Sequence, residues 1–179
     1  QACFIAYQLI KTVIYLNSNK IMHRNIHPEN ILISDTEFHE DLIFIKLGNF
    51  RKATVYDSDK PQTQMIGKGY FIDPEILKGN YNESCDLWTI GIIIFMLIEG
   101  KPPFVGETEE ETFLKIQNES LTFSKSSIFA QNFLFRILRK KSSERPSAKE
   151  LLKDLWFQEM NVNDLFFFSE FDARRIFQI

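Results

Sequence analysis

The stretch SCDLWTIGIIIFMLIEG, residues 84–100, contains the most apolar part of the chain. It carries no charged residue between Asp86 and Glu99. Its most apolar run, residues 87–98, has 12 residues, whereas a helix needs roughly 20 to cross a bilayer. Gly100 followed by KPPF is a typical helix stop. The stretch therefore predicts a buried helix over residues 85–99.

Composition limits what surrounds this helix. The 179 residues are 44% hydrophobic and 25% charged, which is enough apolar material for one buried core and one domain. The net charge of -3 gives no sign of binding to nucleic acid or to an anionic membrane. Cys3 and Cys85 are expected to be buried thiols in a reducing, cytoplasmic compartment. No signal peptide is evident, and a start at Gln1 instead of Met suggests a piece of a longer protein.

The rest of the sequence predicts a mainly helical chain. Apolar periodicity and capping-box patterns predict helices or helix starts at residues 2–17, 108–111, 130–139 and 147–150. The β-rich runs ILIS and LIFIKL, on either side of the polar residues 35–41, predict a hairpin within residues 31–47. Residues 51–70 show no periodicity, and a loop of that length inside a compact domain is usually functional.

The octapeptide HRNIHPEN, residues 23–30, is the densest cluster of chemically active side chains. His23 and His27 have the i, i+4 spacing of an HExxH zinc helix. However, Arg24 stands where that motif has its glutamate, and Pro28 prevents a continuous helix. From these residues alone, a turn with satisfied polar groups is the other interpretation.

Residues 1–158 resemble the C-terminal lobe of a eukaryotic protein kinase, because several motifs follow one another in the order found in that family. The order is a helix, HRNIHPEN, a hairpin, GNF, GYFIDPE, DLWTIG and ERPS. The resemblance implies the mainly α lobe of the α+β protein-kinase-like fold, with helices around a buried central helix and short β-hairpins at the catalytic cleft. HPEN resembles the serine/threonine type. YNESCDLWTIGIIIFMLIEGKPPF resembles the calcium/calmodulin-dependent and calcium-dependent protein kinase group. The N-terminal lobe, whose glycine-rich loop and lysine anchor ATP in the family, is absent from these residues.

The resemblance also assigns the catalytic positions, and several of them are degenerate. Asn25 stands where the family has its catalytic aspartate, and His27 where it has the loop lysine. Asn30 matches the magnesium-binding asparagine, whereas Asn49 replaces the aspartate of DFG. Lys68 stands at the threonine that braces the catalytic residue, so its implied partner is Asn25. Because a neutral amide is a poor base and a weak magnesium ligand, the resemblance implies that Mg-ATP binds weakly or not at all.

Structural positions of the family are retained. They are His23, Arg24, Glu75, Asp86 and Arg145. Glu75 and Arg145 stand at the positions of the family's buried ion pair, and Asp86 stands where the central helix holds the catalytic loop. Candidate phosphate acceptors in the following loop are Thr54, Ser58 and Thr63. Arg24 is the inferred receiver of such a phosphate.

Three functions remain open from the sequence. The first is a pseudokinase that acts as an interaction or regulatory module for other proteins. The second is a serine/threonine kinase of low activity that needs its small lobe, and the third is a decayed fragment without a function. Residues 159–179 form a Phe-rich tail without a DxDxDG-type calcium loop. This tail is expected to pack on the lobe's own surface, to dock to a partner, or to cover the substrate cleft.

Overall fold

The apolar stretch quoted above forms helix α2, Ser84–Glu99, in the computed structural model, which describes residues 1–34 and 42–159. Eleven of the 16 residues of α2 are buried. Gly100 ends the helix in the left-handed conformation, with φ of 80°, which glycine adopts without strain. Gly91 allows close packing, because a Cβ atom there would lie 2.7 Å from a methyl group of Leu138.

Helices packed against one another account for most of the described chain. The others are α1 (Ala2–Ser18), α3 (Glu109–Asn118), α4 (Ile128–Ile137) and α5 (Ala148–Leu151). Helix α1 contacts both α2 and α5, and α4 contacts α2. The buried side chains of these helices form the main hydrophobic core. The prediction of a mainly helical chain is confirmed.

Hydroxyl side chains define where the later helices begin. The N-caps of α3, α4 and α5 are Thr108, Ser127 and Ser147. At α5 the capping box is complete, because Glu150 also bonds the backbone of its N-cap. At α3 the Glu111 carboxylate accepts the amide of Glu107 instead of the N-cap amide. Helix α4 begins two residues before the predicted start at residue 130, since its cap lies further upstream.

The strands are short and form two antiparallel pairs. Strands β2 (Ile31–Ile33) and β3 (Ile45–Leu47) form the predicted hairpin, with Ile31 opposite Leu47. Strand β1 (Ile21–Met22) pairs with β4 (Thr54–Val55). This second pair was not predicted, because two-residue strands carry no measurable alternation.

The segment between β3 and α2 is irregular, as its sequence predicted. It contains single 3₁₀ turns at Phe50–Lys52 and Gly69–Phe71. Its middle is tied to the start of α2 by a backbone bridge between Gln62 and Tyr81, with N–H···O distances of 2.8 and 3.1 Å. This bridge fixes the middle of the segment to the residues that precede α2.

Glu99 fixes the loop between α3 and α4 to the end of α2. Its buried carboxylate accepts the amides of Ser124 at 2.9 Å and Ser126 at 3.0 Å, the amide of Lys125 at 3.2 Å, and both serine hydroxyls. Burial alone would raise the pKa of Glu99, but these hydrogen bonds outweigh it and lower the pKa to about 2. The sequence analysis gave Glu99 no role.

The remaining expectations concern the thiols, a membrane span and the tail. Cys85 is buried as expected, whereas Cys3 is only half-buried and donates to the Trp156 carbonyl at 3.5 Å. Among residues 1–34 and 42–159, no helix has both the length and the hydropathy that a transmembrane span requires. Apart from its first residue, Glu159, the predicted Phe-rich tail lies outside the described residues.

Candidate active site

The backbone of HRNIHPEN is held by one buried carboxylate of α2. Asp86 accepts the amide of His23 at 2.7 Å and the amide of Arg24 at 2.8 Å, one on each oxygen. Burial raises the pKa of Asp86 to about 6, although both hydrogen bonds act to lower it. Arg24 has a positive φ of 62°, a conformation unusual for a residue with a side chain. The two bonds to Asp86 stabilise this turn, in the position that the resemblance implied.

His23 connects the octapeptide to the GNF sequence. Its fully buried ring bonds the Gly48 carbonyl through Nε2 at 3.0 Å, and Nδ1 accepts the amide of Asn25 at 3.3 Å. The ring meets Phe50 edge to face, with centroids 4.7 Å apart. Burial lowers the pKa of His23 to about 4, so the imidazole is neutral at pH 7. His23 is therefore a packing and positioning residue, and it does not lie free in the cleft.

The side-chain amides of Asn49 and Asn30 meet at the centre of the site. Asn49, at a left-handed φ of 61°, donates through Nδ2 to Oδ1 of Asn30 at 3.0 Å. The buried Asn30 in turn donates to the backbone carbonyl of Asn25 at 2.8 Å and to Nε2 of His27 at 2.9 Å. The fold thus brings together four of the five residues that the resemblance assigned to catalysis and magnesium binding. They are Asn25, His27, Asn30 and Asn49.

These residues do not fit a protein-bound magnesium ion. Mg²⁺ prefers carboxylate, phosphate and water oxygens in octahedral geometry. Asn25, Asn30 and Asn49 are all neutral, and the Oδ1 atom of Asn30 already accepts a hydrogen bond from Asn49. Within the described ranges, no three His, Cys, Asp or Glu side chains gather where a metal could bind. The donor set therefore lacks the negative charge that would hold the ion.

His27 is a buried, neutral side chain at the edge of the cluster. Burial lowers its pKa, and the nearby Lys68 ammonium lowers it further, while Glu29 acts in the opposite direction. A neutral ring fits its contact with the Asn30 amide, because Nε2 must accept that hydrogen bond. At pH 7 this position therefore supplies no cation near a substrate phosphate.

Lys68 contacts a different residue from the one that the resemblance implied. Its ammonium pairs with Glu29 at 2.7 Å, at the exposed rim of the octapeptide, and does not brace Asn25. The ammonium hydrogen-bonds Glu29 and lowers the pKa of that carboxyl. The ion pair joins the irregular segment to the octapeptide. Sequence reasoning missed Glu29, because a glutamate beside a proline carries no signal until the segment folds over it.

Arg24 anchors the irregular segment through neutral acceptors. Its Nε atom donates to the Lys52 carbonyl at 2.8 Å, and Nη1 donates to the Gln64 side chain at 3.2 Å. The Tyr81 hydroxyl donates to the backbone carbonyl of Gln64 at 3.0 Å. Of the candidate phosphate acceptors, Ser58 bonds Lys20 at 2.8 Å. The guanidinium expected to receive a phosphate thus contacts neutral oxygen atoms of the irregular segment, and sequence reasoning did not single out Gln64.

The predicted ion pair of Arg145 with Glu75 is wrong. Arg145 pairs with Asp73, and both side chains are buried. The Glu75 carboxylate instead accepts the amide of Ser142 at 2.8 Å. The Arg145 guanidinium also donates to the Ser84 carbonyl at 2.9 Å and stacks over the buried Trp88 ring. Asp73 is buried beside Arg145, whereas Glu75 is only half-buried, so Asp73 supplies the counter-charge.

A model of the protein kinase domain family matches residues 1–157. The chain is 34% identical over 168 residues to calcium-dependent protein kinase 4 of Plasmodium falciparum (isolate 3D7), covering 91% of this chain and 31% of that protein. It is 32% identical over 160 residues to the serine/threonine-protein kinase plk-2 of Caenorhabditis elegans, covering 88% and 24%. It is 30% identical over 169 residues to calcium-dependent protein kinase 27 of Arabidopsis thaliana, covering 92% and 34%.

The chain spans about a third or less of the length of these relatives. Members of the family use Mg-ATP. The match to the family covers the octapeptide, the hairpin, the irregular segment and the five α-helices of residues 1–34 and 42–159. The chain therefore belongs to the protein kinase domain family.

Proposed function

We propose that this domain is a catalytically impaired kinase of the serine/threonine type, a pseudokinase that acts as an interaction or regulatory module for other proteins. The observation that carries the proposal is the amide pair at the centre of the site. Asn49 and Asn30 bond each other at 3.0 Å, where the family has an aspartate and an asparagine around magnesium. Two neutral amides satisfy each other and do not need a cation between them.

The expected loss of phosphate-transfer activity can be estimated separately for each substituted position. Asn25 can orient a hydroxyl but cannot accept its proton, and loss of a general base typically costs about 10²- to 10⁴-fold in rate. His27 is neutral at pH 7, so the fixed positive charge of a loop lysine is also missing. Asn49 removes the carboxylate that grips magnesium. Because the three defects affect one reaction, the remaining activity should be negligible.

The retained contacts support a binding role. The bonds of Asp86 to the octapeptide and the buried Arg145–Asp73 pair keep the shape of the lobe, which an interaction surface requires. The net charge of -3 offers no general attraction for nucleic acid. Partners are therefore proposed to be other proteins, in the cytoplasm. Because two of these relatives are calcium-dependent protein kinases, we propose that the partners belong to a calcium-dependent signalling pathway.

A low-activity serine/threonine kinase is the second candidate. It is favoured by the backbone of residues 23–25, which Asp86 and His23 hold in position. This candidate requires a small lobe with a glycine-rich loop and an ATP-anchoring lysine. Sequencing the transcript upstream of Gln1 would discriminate the two candidates. A small lobe with both motifs favours the kinase, and their loss favours the module.

We expect the 179-residue chain to bind Mg-ATP weakly or not at all, because Asn49 supplies no carboxylate and one wall of the nucleotide cleft is not part of this chain. Calorimetric titration with and without Mg²⁺ measures this. Asn49→Asp is the matched variant and should be the one that gains magnesium dependence. A magnesium-dependent Kd in the low micromolar range for the unmodified chain, worth roughly 7–8 kcal/mol, would contradict the proposal.

Restoring two carboxylates should not restore catalysis. Asn25→Asp combined with Asn49→Asp still leaves His27 and Lys68, and these 179 residues do not include a small lobe; residues of one catalytic unit do not contribute additively. The variant should transfer phosphate only after a functional small lobe is fused upstream. Radiolabelled ATP with a basic serine peptide measures transfer, with an intact kinase as positive control. Labelling by the unmodified chain that Asn25→Ala abolishes would show that the chain is an active enzyme.

A further inference from the structure

A groove lies between the C-terminal end of α3 and the residues that follow α4, and we name it the α3–α4 groove. Its volume is about 380 Å³, which is within the range of ligand-binding pockets, about 300–1,000 Å³. Apolar and charged side chains both line it. The lining includes Leu121, Phe135, Leu138, Arg139, Lys141 and Glu144.

The apolar part of the α3–α4 groove contains an aromatic ring that faces water. Leu138 is buried and Leu121 is half-buried. Phe135 is 44% exposed, although its ring packs edge to face on Phe123, with centroids 5.1 Å apart. A ring that one neighbour holds in place, and that otherwise meets water, gains stability when another apolar group covers it.

The acidic groups of the α3–α4 groove already have partners. Glu119 pairs with Lys115 at 3.9 Å, and Glu144 pairs with Lys141 at 3.5 Å. Each pair joins residues of the same short segment of the chain. The two carboxylates are therefore balanced by lysines of their own chain.

The two other cations of the lining differ in their contacts. Lys140 donates to the Ile116 carbonyl at 2.5 Å, and its ammonium lies 3.7 Å from the centre of the Phe104 ring. Arg139 is exposed, and within residues 1–34 and 42–159 its guanidinium forms no hydrogen bond or ion pair. Its N–H donors therefore remain available to a partner.

We propose that the α3–α4 groove binds a peptide segment of a partner protein in which a bulky apolar residue lies within a few positions of an aspartate or glutamate. The apolar side chain covers Phe135. The carboxylate pairs with Arg139, whose planar guanidinium can hold both carboxylate oxygens. The inference rests on the proposed interaction role of the domain, and it gives that role a location and a partner chemistry.

The distribution of charge favours such a peptide over a polyanion. Lys115 and Lys141 are paired with carboxylates, so among the described lining residues only Arg139 offers a charge without a partner. Nucleic acids and anionic membranes are bound by several free cations at once. Aromatic residues and arginine are also the residue types that most often carry the binding energy of protein interfaces.

Selection from a phage-displayed library of random dodecapeptides tests the proposal on the full chain. The enriched peptides should share an apolar residue, such as Phe or Leu, with Asp or Glu within about three positions. One labelled enriched peptide is then the probe, and fluorescence anisotropy measures its Kd for each variant. Absence of enrichment, or enrichment of peptides without an acidic residue, would overturn the proposal.

Arg139→Glu tests the charged half of the site. It should raise the Kd of the probe at least about tenfold, and a repeated selection should then prefer Lys or Arg in place of Asp or Glu. Lys149→Glu is the matched control, because it makes the same change of charge at an exposed position of α5 outside the groove. The control should change the Kd by less than about twofold, since salt screens distant exposed charges. Equal effects of the two variants would contradict a specific pair with Arg139.

Phe135→Ser tests the apolar half and should also raise the Kd at least about tenfold. Ile128→Ser is its control, because Ile128 lies on the same helix and is 63% exposed, but does not line the groove. The control should change the Kd by less than about twofold. Circular dichroism verifies that both variants are folded. If the two variants weakened binding equally, Phe135 would not be the contact that holds the apolar residue.

Further outcomes assign the groove to a different occupant. Sedimentation that shows self-association of the full chain, lost in Arg139→Glu, would overturn the proposal in favour of a second copy. Binding to phosphatidylserine vesicles that Arg139→Glu abolishes would overturn it in favour of a membrane surface.

The peptide measurements need no ATP, so they are independent of the phosphate-transfer assay. A chain that transfers phosphate and also binds the probe would contradict the proposed pseudokinase and support the groove. An inactive chain that enriches no acidic, apolar peptide would contradict the groove alone.

Discussion

Arg145→Met is expected to lower the free energy of unfolding by about 3–5 kcal/mol, because it leaves the buried Asp73 carboxylate without its counter-charge. The variant also removes the donors that serve the Ser84 carbonyl and the Arg139 carbonyl, at 2.9 and 2.7 Å. Partly buried carbonyls that lose a donor add to the cost. Urea denaturation followed by circular dichroism measures the change.

The matched control distinguishes the two candidate partners of Arg145. Glu75→Gln should change the free energy of unfolding by less than about 1 kcal/mol, since Glu75 is only half-buried and glutamine keeps an oxygen for the Ser142 amide. Asp73→Asn combined with Arg145→Met should recover part of the stability lost in Arg145→Met, because no unpaired charge then remains buried. If Glu75→Gln and Arg145→Met lowered the free energy of unfolding equally, Glu75 would be the ion-pair partner of Arg145 after all.

Glu99→Gln is expected to lower the free energy of unfolding by about 3 kcal/mol. The amide keeps one acceptor oxygen, but its NH₂ group then faces the amides and hydroxyls of Ser124 and Ser126, which are donors themselves. The loop between α3 and α4 should loosen, with faster hydrogen exchange at residues 124–126. Glu110→Gln, an exposed position in the first turn of α3, is the control and should stay within about 0.5 kcal/mol of the unmodified chain.

The pH dependence of the Glu99 effect follows from its lowered pKa. In the unfolded chain the carboxyl titrates near its usual 4.5, and in the folded chain near about 2. The unfolded state therefore binds more protons between these values, so the stabilisation by Glu99 is complete above about pH 4.5 and is lost as the pH falls toward 2. The stability gap between the unmodified chain and Glu99→Gln should narrow over this range. A gap that stays constant from pH 6 to pH 2.5 would contradict the hydrogen-bonded carboxylate.

Local patterns in the sequence predicted the secondary structure well. The apolar run before Gly100 predicted α2, and the two β-rich runs predicted the β2–β3 hairpin. Hydroxyl residues ahead of apolar spacing predicted the starts of α3 and α5. These features depend on residues within a few positions of each other, so periodicity and capping chemistry are sufficient to find them.

The neutrality of Asn25 and Asn49 is also a property of the sequence alone, because it follows from their residue types. The amide pair between Asn49 and Asn30 is different, because it requires the left-handed backbone at Asn49 that brings two segments 19 positions apart into contact.

The choice among possible partners was decided only by the tertiary structure. Asp73 and Glu75 are two positions apart, and the sequence could not show which carboxylate reaches an arginine 72 positions from Asp73. The same holds for Lys68, which meets Glu29 in place of Asn25, and for Glu99, which meets serines 25 and 27 positions away. Residue types set the charges and hydrogen-bonding capacity, whereas burial and the packing of helices on α2 set which groups come within hydrogen-bond distance.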